Sequence, residues 1–164
     1  MNHPKRDSLL GVNTKIQQPS SAKEPKSQIS SLSTSAWDRH SFTVTGDPMG
    51  KPRMTRRDVW KKRPVVLRYR EYCDRIRAAG GKIPNNAYSI IVFAYIAMPS
   101  SWSKKRQAEM DGQLHRQKFD ADNCVKAVMD ALFKEDSMVA GCCCWKFWCK
   151  QGQARTEIHV LYFQ

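Results

Sequence analysis

Long apolar stretches and acidic residues are both scarce in this sequence of 164 residues. No run of about 18 apolar residues occurs, so no transmembrane helix is predicted. The first residues lack the charged-then-apolar pattern of a secretory signal, and we therefore expect a cytoplasmic protein with no membrane partner. There are 15 Asp and Glu against 28 Lys and Arg, a net charge of +13. A surface this basic favours a polyanionic partner, because neutralising phosphates releases counterions.

The six cysteines lack the spacing of a common zinc site, which separates two ligands by two to four residues and then repeats the pair. Three of them are adjacent, at Cys142, Cys143 and Cys144, and Cys149 follows. Neighbouring side chains of a strand point to opposite faces of its sheet. The cluster therefore predicts reduced thiols buried as small apolar side chains, with zinc as the less favoured alternative.

Residues 1–38 are rich in Ser, Lys, Gln and Pro and poor in aromatic residues. They cannot bury enough apolar surface to order themselves, which predicts a disordered arm. The arm carries five Lys or Arg and three Asp or Glu, so most of the net charge belongs to the rest of the chain. We expect residues 39–164 to form a single domain.

After the arm, the spacing of apolar residues is typical of strands in some segments and of helices in others. Strands are predicted at 41–46, 88–99, 137–150 and 154–163, and helices at 64–81, 100–112 and from Asp122 onward. This order predicts an α+β domain of two layers, in which a small mixed β-sheet is covered by helices on one face.

The predicted helix that begins near Asp122 has two distinct stripes. Its core-facing stripe has the spacing i, i+3, i+4, i+7 and comprises Val125, Val128, Met129 and Leu132. Beside Asp122 lies a polar stripe of Asn123, Lys126 and Asp130. Lys126 has two open interpretations: it neutralises charge on a phosphate, or it forms an i, i+4 ion pair with Asp130.

Helix capping alone does not explain why several carboxylates lie around this helix. One Asp at the start of a helix is favoured by the helix dipole, but this does not explain both Asp120 and Asp122. Asp136 follows the helix, where the dipole disfavours negative charge. If the chain turns back, or a partner chain supplies the third group, the three carboxylates meet and repel one another. Mg²⁺ relieves such repulsion and supports phosphodiester hydrolysis.

Two motifs carry a resemblance to a known family. DADNCVKAVMDAL followed by EDSMV resembles the signature of the RusA-type Holliday junction resolvases, roughly D-x-D-N-x-x-K-x-x-x-D-A-L and then D-D-x-x-V. GDPMGKPRM resembles the Gly…Lys-Pro-Arg loop of that family, and MPSSWSKKRQ is similar to phage and prophage members. The resemblance covers about residues 40–163 and implies a RusA-like fold.

The resemblance also implies site residues. Asp120, Asp122 and Asp136 would hold the catalytic Mg²⁺, for which Mn²⁺ is a possible substitute, and Lys126 is the essential lysine. Asn123 and Asp130 match supporting positions, and Glu135 stands where the first Asp of the later pair usually is. The linker between the two motifs is shorter here, with only Phe133 and Lys134. The implied activity is that of a homodimer that binds a four-way DNA junction and nicks two opposing strands in recombination or repair.

The segment from residue 51 to residue 70 contains nine Lys and Arg. We predict that it contacts DNA phosphates, with Trp60 available to stack on unpaired bases. The alternative is a merely solvated basic face. The predicted DNA-binding residues are Lys51, Arg53, Arg56, Arg57, Lys61, Lys62 and Arg63.

Two other functions remain open at this level. One is a less selective nuclease that cuts flaps or other branched DNA. The other is a DNA-binding module without cleavage activity, in which the carboxylates serve only as helix caps.

Overall fold

The computed structural model describes residues 37–61 and 63–163. The predicted disordered arm of residues 1–38 lies almost entirely outside them, so that prediction and the boundary at residue 39 stay untested. The described elements, in chain order, are β1 (Trp37–Thr45), a 3₁₀ helix (Arg56–Val59), α1 (Pro64–Gly80), β2 (Ala87–Ala97), α2 (Lys104–Met110), α3 (Ala121–Leu132), β3 (Gly141–Cys149) and β4 (Arg155–Phe163).

The four strands form one sheet in the order β1-β4-β2-β3. Strand β4 is antiparallel to both β1 and β2, whereas β3 runs parallel to β2. Helices α1 and α3 pack against each other and against one face of this sheet. The predicted α+β architecture, with a mixed sheet and helices on one face, is therefore confirmed.

The core lies between that face and the two helices. Strand β4 buries alternate side chains, at Thr156, Ile158 and Val160, which is the period expected of a strand covered on one side. Val66 and Ile76 are buried on α1 at helical spacing. Pro64 begins this helix, and Gly81, at φ 60°, follows its end in a conformation that favours glycine.

The predicted inward stripe of α3 is largely confirmed. Val125 and Val128 are buried, and Met129 and Leu132 pack at the edge of the core. Cys124 is also fully buried. Because this stripe faces the core, the polar side of α3 is turned toward solvent.

Two strand boundaries differ from the predictions by four residues, and the other strand ends differ by two residues or fewer. Strand β1 begins at Trp37 instead of Ser41, because Trp37 to His40 pair with the last residues of β4. Strand β3 begins at Gly141, so residues 137–140 precede it in a turn. Both boundaries depend on which backbone groups of a neighbouring strand are available for hydrogen bonding. The local sequence pattern does not give that information.

The prediction that the cysteine cluster is buried is wrong for two of its members. Cys142 and Cys143 are exposed, Cys144 is half-buried and Cys149 is buried. The physical reason is that β3 is an edge strand of the sheet. All six cysteines are free thiols. Among the helices that the structure describes, none is long and apolar enough to cross a membrane.

Candidate functional site

Helix α3 carries the first two predicted carboxylates at its beginning. Asp120 is the N-cap residue with an extended backbone, yet its side chain makes no capping hydrogen bond. Asp122 lies in the first turn, and one of its carboxylate oxygens accepts a hydrogen bond from Lys126 Nζ at 2.9 Å. The capping interpretation therefore does not explain the Asp120 carboxylate.

Lys126 pairs backward along α3 with Asp122, not forward with Asp130, so the predicted i, i+4 pair with Asp130 is wrong. The Asp122 and Lys126 side chains are 61% and 57% exposed. The hydrogen bond from Lys126 lowers the pKa of Asp122 below its usual value. Lys126 thus keeps Asp122 ionised while its own charge stays accessible from solvent.

A cavity of about 420 Å³ lies between α3 and β3. Its walls combine charged groups from the helix and the following turn with apolar groups and thiols. The lining residues are Ala121, Asp122, Val125, Lys126, Met129, Asp136, Cys142, Cys143 and Cys144. Asp136 and Asp122 therefore share one cavity although they are separated along the chain.

The turn after α3 explains how Asp136 reaches this cavity. The amide of Val139 donates to the carbonyl of Asp136 at 2.9 Å, which closes the turn. The amide of Ala140 then donates to the carbonyl of Tyr88 at 2.7 Å, which joins the chain to the start of β2. The expected return of the chain beside the helix is thus achieved within a single chain.

The structure does not gather all three predicted metal ligands. Asp120 is not one of the described residues that line this cavity. Within residues 37–61 and 63–163, no three His, Cys, Asp or Glu side chains lie close enough to hold a metal ion. Glu135 lines a different cavity, beside Leu132 and Met138. The metal set of Asp120, Asp122 and Asp136 stays a prediction.

The donor chemistry of these residues nevertheless fits a hard cation. Asp120, Asp122 and Asp136 are all exposed, and all offer carboxylate oxygens. Mg²⁺ prefers oxygen ligands and usually keeps several waters, so it does not need a closed cage of side chains. A site open to solvent on one side is compatible with that preference.

The loop before the 3₁₀ helix is attached directly to α3. The amide of Lys51 donates to the carbonyl of Asn123 at 2.8 Å, and Lys51 Nζ lies 2.7 Å from an Asp130 carboxylate oxygen. Gly50 permits this approach, since a Cβ there would lie 3.1 Å from the Phe119 ring and 3.2 Å from Asn123 Cβ. Asn123 and Asp130, predicted as supporting residues, therefore hold the loop.

Helix α1 supports the same contact through Tyr69, which the sequence interpretation did not single out. Its hydroxyl donates to Asp130 at 2.7 Å, and the residue is only 6% exposed. Burial and the hydrogen bond to Asp130 raise the pKa of Tyr69, so it remains a neutral donor. The available signal was its helical spacing from Val66 and Ile76, which marks it as inward-facing.

The 3₁₀ helix is held by Asp58. Its carboxylate accepts from the amide and hydroxyl of Thr55 and from two nitrogens of Arg63, at 2.5 and 2.6 Å. The hydrogen bonds from Arg63 lower the pKa of Asp58 far below its usual value. Arg63 also donates to the carbonyl of Arg53. The Arg63 guanidinium therefore stabilises the conformation of the loop.

The described DNA-binding candidates divide into two groups, exposed and paired. Four cations of the loop are exposed, and Trp60 between them is 82% exposed. The exposed cations are Arg53, Arg56, Arg57 and Lys61. Lys51 and Arg63 are engaged with Asp130 and Asp58, and Lys62 lies outside the described residues.

Lys146 of β3 is a second residue that the sequence interpretation missed. Its ammonium group donates to the carbonyls of Gln117 and Phe119 and lies 5.5 Å from the Phe119 ring centroid. It thereby fixes the segment that leads into Asp120. Strand alternation, which places Lys146 on the same face as Cys144, was the signal that could have identified it.

Fold and site together define a small α+β protein in which an exposed cationic loop is fastened to a carboxylate-bearing helix. This combination suits a hydrolase that acts on a polyanion. The sequence model of Endodeoxyribonuclease RusA matches residues 45–161, which is most of the chain. The chain therefore belongs to the RusA endodeoxyribonuclease family, a family of nucleases that act on branched DNA junctions. Among individually curated proteins, no match was found.

Proposed function

We propose that this protein is a Mg²⁺-dependent endodeoxyribonuclease that resolves four-way DNA junctions by paired nicks in opposing strands. It would act as a homodimer in recombination, repair or phage DNA processing, in the cytoplasm of a bacterium or phage-infected cell. The observation that carries the proposal is the shared cavity of Asp122, Lys126 and Asp136, inside the region that matches the nuclease family.

The residues in and around the cavity have separate tasks in this proposal. Asp120, Asp122 and Asp136 would hold the ion, which when bound supplies positive charge for a phosphate and lowers the pKa of a water molecule. Lys126 presents its ammonium group beside Asp122, where it neutralises charge that develops on the phosphate. Lys146 and the Lys51–Asp130 pair keep the two segments flanking the cavity in position.

The exposed cations Arg53, Arg56, Arg57 and Lys61 would contact the phosphates of the junction arms. Trp60 is exposed beside them and offers a ring face to an unpaired base. Because the loop is bonded to α3 at Asn123 and Asp130, DNA held by the loop is held at a defined position relative to the cavity.

The test is cleavage of a synthetic four-way junction, with linear duplex of the same sequence as control. Wild-type protein should cut the junction with Mg²⁺ and stop when a chelator is added. Asp122→Asn should bind the junction as wild type does and lose cleavage, because it removes a carboxylate of the cavity. Asp74→Asn is the matched control, since Asp74 is an exposed Asp of α1 that pairs with Arg77. It should cut normally.

Three results would change the assignment. Cleavage by Asp122→Asn at the wild-type rate would show that the metal ligands are wrong. Junction binding without cleavage in Mg²⁺ or Mn²⁺ would favour a binding module. Equal cleavage of linear duplex would favour a less selective nuclease for flaps and other branched DNA.

A further inference from the structure

Two thiols meet between α3 and β3, beside the cavity described above. Cys124 of α3 is fully buried, and its thiol donates a hydrogen bond to the sulfur of Cys144 on β3. Cys144 is half-buried and is one of the residues that line the cavity. One member of the pair is therefore accessible to a small solute in the cavity, whereas the other is enclosed by the core.

The surroundings of Cys144 favour the reactive form of its thiol. The hydrogen bond from Cys124 lowers the pKa of Cys144 and outweighs the opposite effect of burial, and the positive charge of Lys146 lowers this pKa further. Strand alternation places Lys146 and Cys144 on the same face of β3. Buried cysteines in apolar surroundings are inert. Cys144 differs from them because it combines access through the cavity with a stabilised thiolate.

We propose that Cys144 is a site of oxidation by hydroperoxides, and that Cys124 then joins it in a disulfide between α3 and β3. In the first step the Cys144 thiolate attacks hydrogen peroxide, the O–O bond breaks, and a sulfenic acid and hydroxide form. The Cys124 thiol then attacks the oxidised sulfur, the S–O bond breaks, and a water molecule leaves with the thiol proton. Overall, two thiols lose two electrons and two protons, and one peroxide becomes two water molecules.

The geometry of β3 selects Cys124 as the partner over the neighbouring thiols. Cys143 points to the opposite face of the strand from Cys144, because adjacent side chains alternate. Cys142 shares the face of Cys144 but stands beside it on the same extended strand, so the two side chains run alongside each other and do not converge. Cys124 approaches from a separate element and already contacts the Cys144 sulfur.

The disulfide would affect the cavity, because it joins two of its walls. The sulfur atoms of a disulfide lie about 2.05 Å apart, which is closer than two hydrogen-bonded thiols approach. Cys124 lies between Asp122 and Lys126 on α3, so a shift of this helix toward β3 moves both of them. Misplacement by about 1 Å is enough to slow catalysis strongly. Oxidation should therefore slow junction cleavage, and this consequence rests on the proposed function.

The first test is disulfide mapping by mass spectrometry, after dilute native protein has reacted with one equivalent of hydrogen peroxide. Wild type should lose two of its six free thiols, and its digest should contain the Cys124–Cys144 pair. On a non-reducing gel it should still run as a single chain of 18.9 kDa. Dithiothreitol should restore both thiols. The same reaction in urea should give several pairings, because the contact between these two thiols exists only in the folded chain.

The second test separates the two thiols by substitution. Cys124→Ala keeps a small apolar side chain in the core, and its oxidation should stop at the sulfenic acid of Cys144, which dimedone traps as an adduct. Cys149→Ala is the matched control, since Cys149 is a buried thiol on the opposite face of β3 from Cys144. It should form the disulfide as wild type does.

Three results would overturn the inference. The first is a wild type that keeps all six thiols under these conditions. The second is a native disulfide that joins other cysteines, and the third is dimedone trapping at Cys142 or Cys143 while Cys144 stays unmodified. Thiols and disulfides are read without DNA, so these outcomes are independent of whether the reduced protein cleaves junctions.

Cleavage is compared between reduced and oxidised wild type. The oxidised protein should cut the four-way junction more slowly by about tenfold or more, and dithiothreitol should restore the rate. Equal rates in the two forms, with the Cys124–Cys144 pair mapped in the oxidised one, would contradict the effect on the cavity. A reduced protein that does not cleave would contradict the proposed function, while the mapped disulfide would still establish the oxidation site.

Discussion

Asp122 and Lys126 hold each other one helical turn apart, so each sets the charge that the other presents to the cavity. The hydrogen bond from Lys126 lowers the pKa of Asp122 in the folded protein. A carboxylate whose folded pKa is depressed stabilises the fold above its unfolded pKa. That stabilisation is lost as the pH falls through the folded value. The pair is exposed, so its main consequence is electrostatic control of the cavity.

Lys126→Gln should therefore raise the pKa of Asp122 toward its usual value, because the charged donor is gone. Titration of the Asp122 carboxyl by carbon NMR measures this directly. We also expect cleavage to fall on the order of 100-fold, with the thermal midpoint near that of wild type. Lys134→Gln, which changes an exposed lysine just after α3, should alter neither property. An unchanged Asp122 titration in Lys126→Gln would contradict the assignment.

At the scale of elements, Asp130 joins three segments of the chain. It accepts a hydrogen bond from Tyr69 of α1, pairs with Lys51 of the loop and itself belongs to α3. The loop also bonds to α3 through the Asn123 carbonyl. The orientation of the exposed cations thus depends on the packing of α1 against α3. A change in the core near Tyr69 should therefore affect DNA binding by the loop.

Tyr69→Phe keeps the ring in the core and removes the hydroxyl that orients Asp130. We expect a loss of about 1 kcal/mol in the free energy of unfolding, measured in urea, together with slower junction cleavage. Tyr162→Phe is the matched control, because it also removes a Tyr–Asp hydrogen bond, to Asp38 at 2.9 Å. This control should lose similar stability and cleave normally. Equal loss of cleavage in both variants would mean that the effect is one of stability alone.

For the whole molecule, the net charge of +13 predicts DNA binding that depends strongly on salt. The structure shows that the cations of the loop are not equivalent. Arg56 and Arg57 are exposed, whereas Arg63 is bonded to Asp58 and Lys51 to Asp130. The exposed cations should therefore contribute to the salt dependence, and Arg63 should contribute to the order of the loop.

Arg56→Gln should reduce the slope of log affinity against log salt by about 0.9, because one phosphate contact is lost. Fluorescence anisotropy with a labelled junction, measured across a series of KCl concentrations, gives this slope. Arg77→Gln is the control, since Arg77 is an exposed arginine of α1 paired with Asp74, and its slope should match wild type. A slope that falls equally in both variants would show that the loop has no special contact with DNA.

Comparison of particular elements shows where sequence interpretation succeeds. The sequence predicted α1, α3, β2 and β4 as elements, since each carries its own apolar period, and α1, β2 and β4 also have a Pro or Gly near an end. It misplaced the start of β1 because Trp37 is paired with Phe163, a residue far along the chain. It misjudged Cys142 and Cys143 because burial depends on which strands lie at the edge of the sheet.

In the candidate site, too, some features follow from the sequence and others from the tertiary structure. The sequence by itself determined the basic charge, the amphipathic faces and the order of Asp120, Asp122, Lys126 and Asp136, since these are properties of neighbouring residues. Only the tertiary structure decided that Asp136 shares a cavity with Asp122. It also decided that Lys51 is paired with Asp130 while Arg56 is left exposed. Contacts between distant residues follow from how helices and strands pack, and no local pattern encodes that packing.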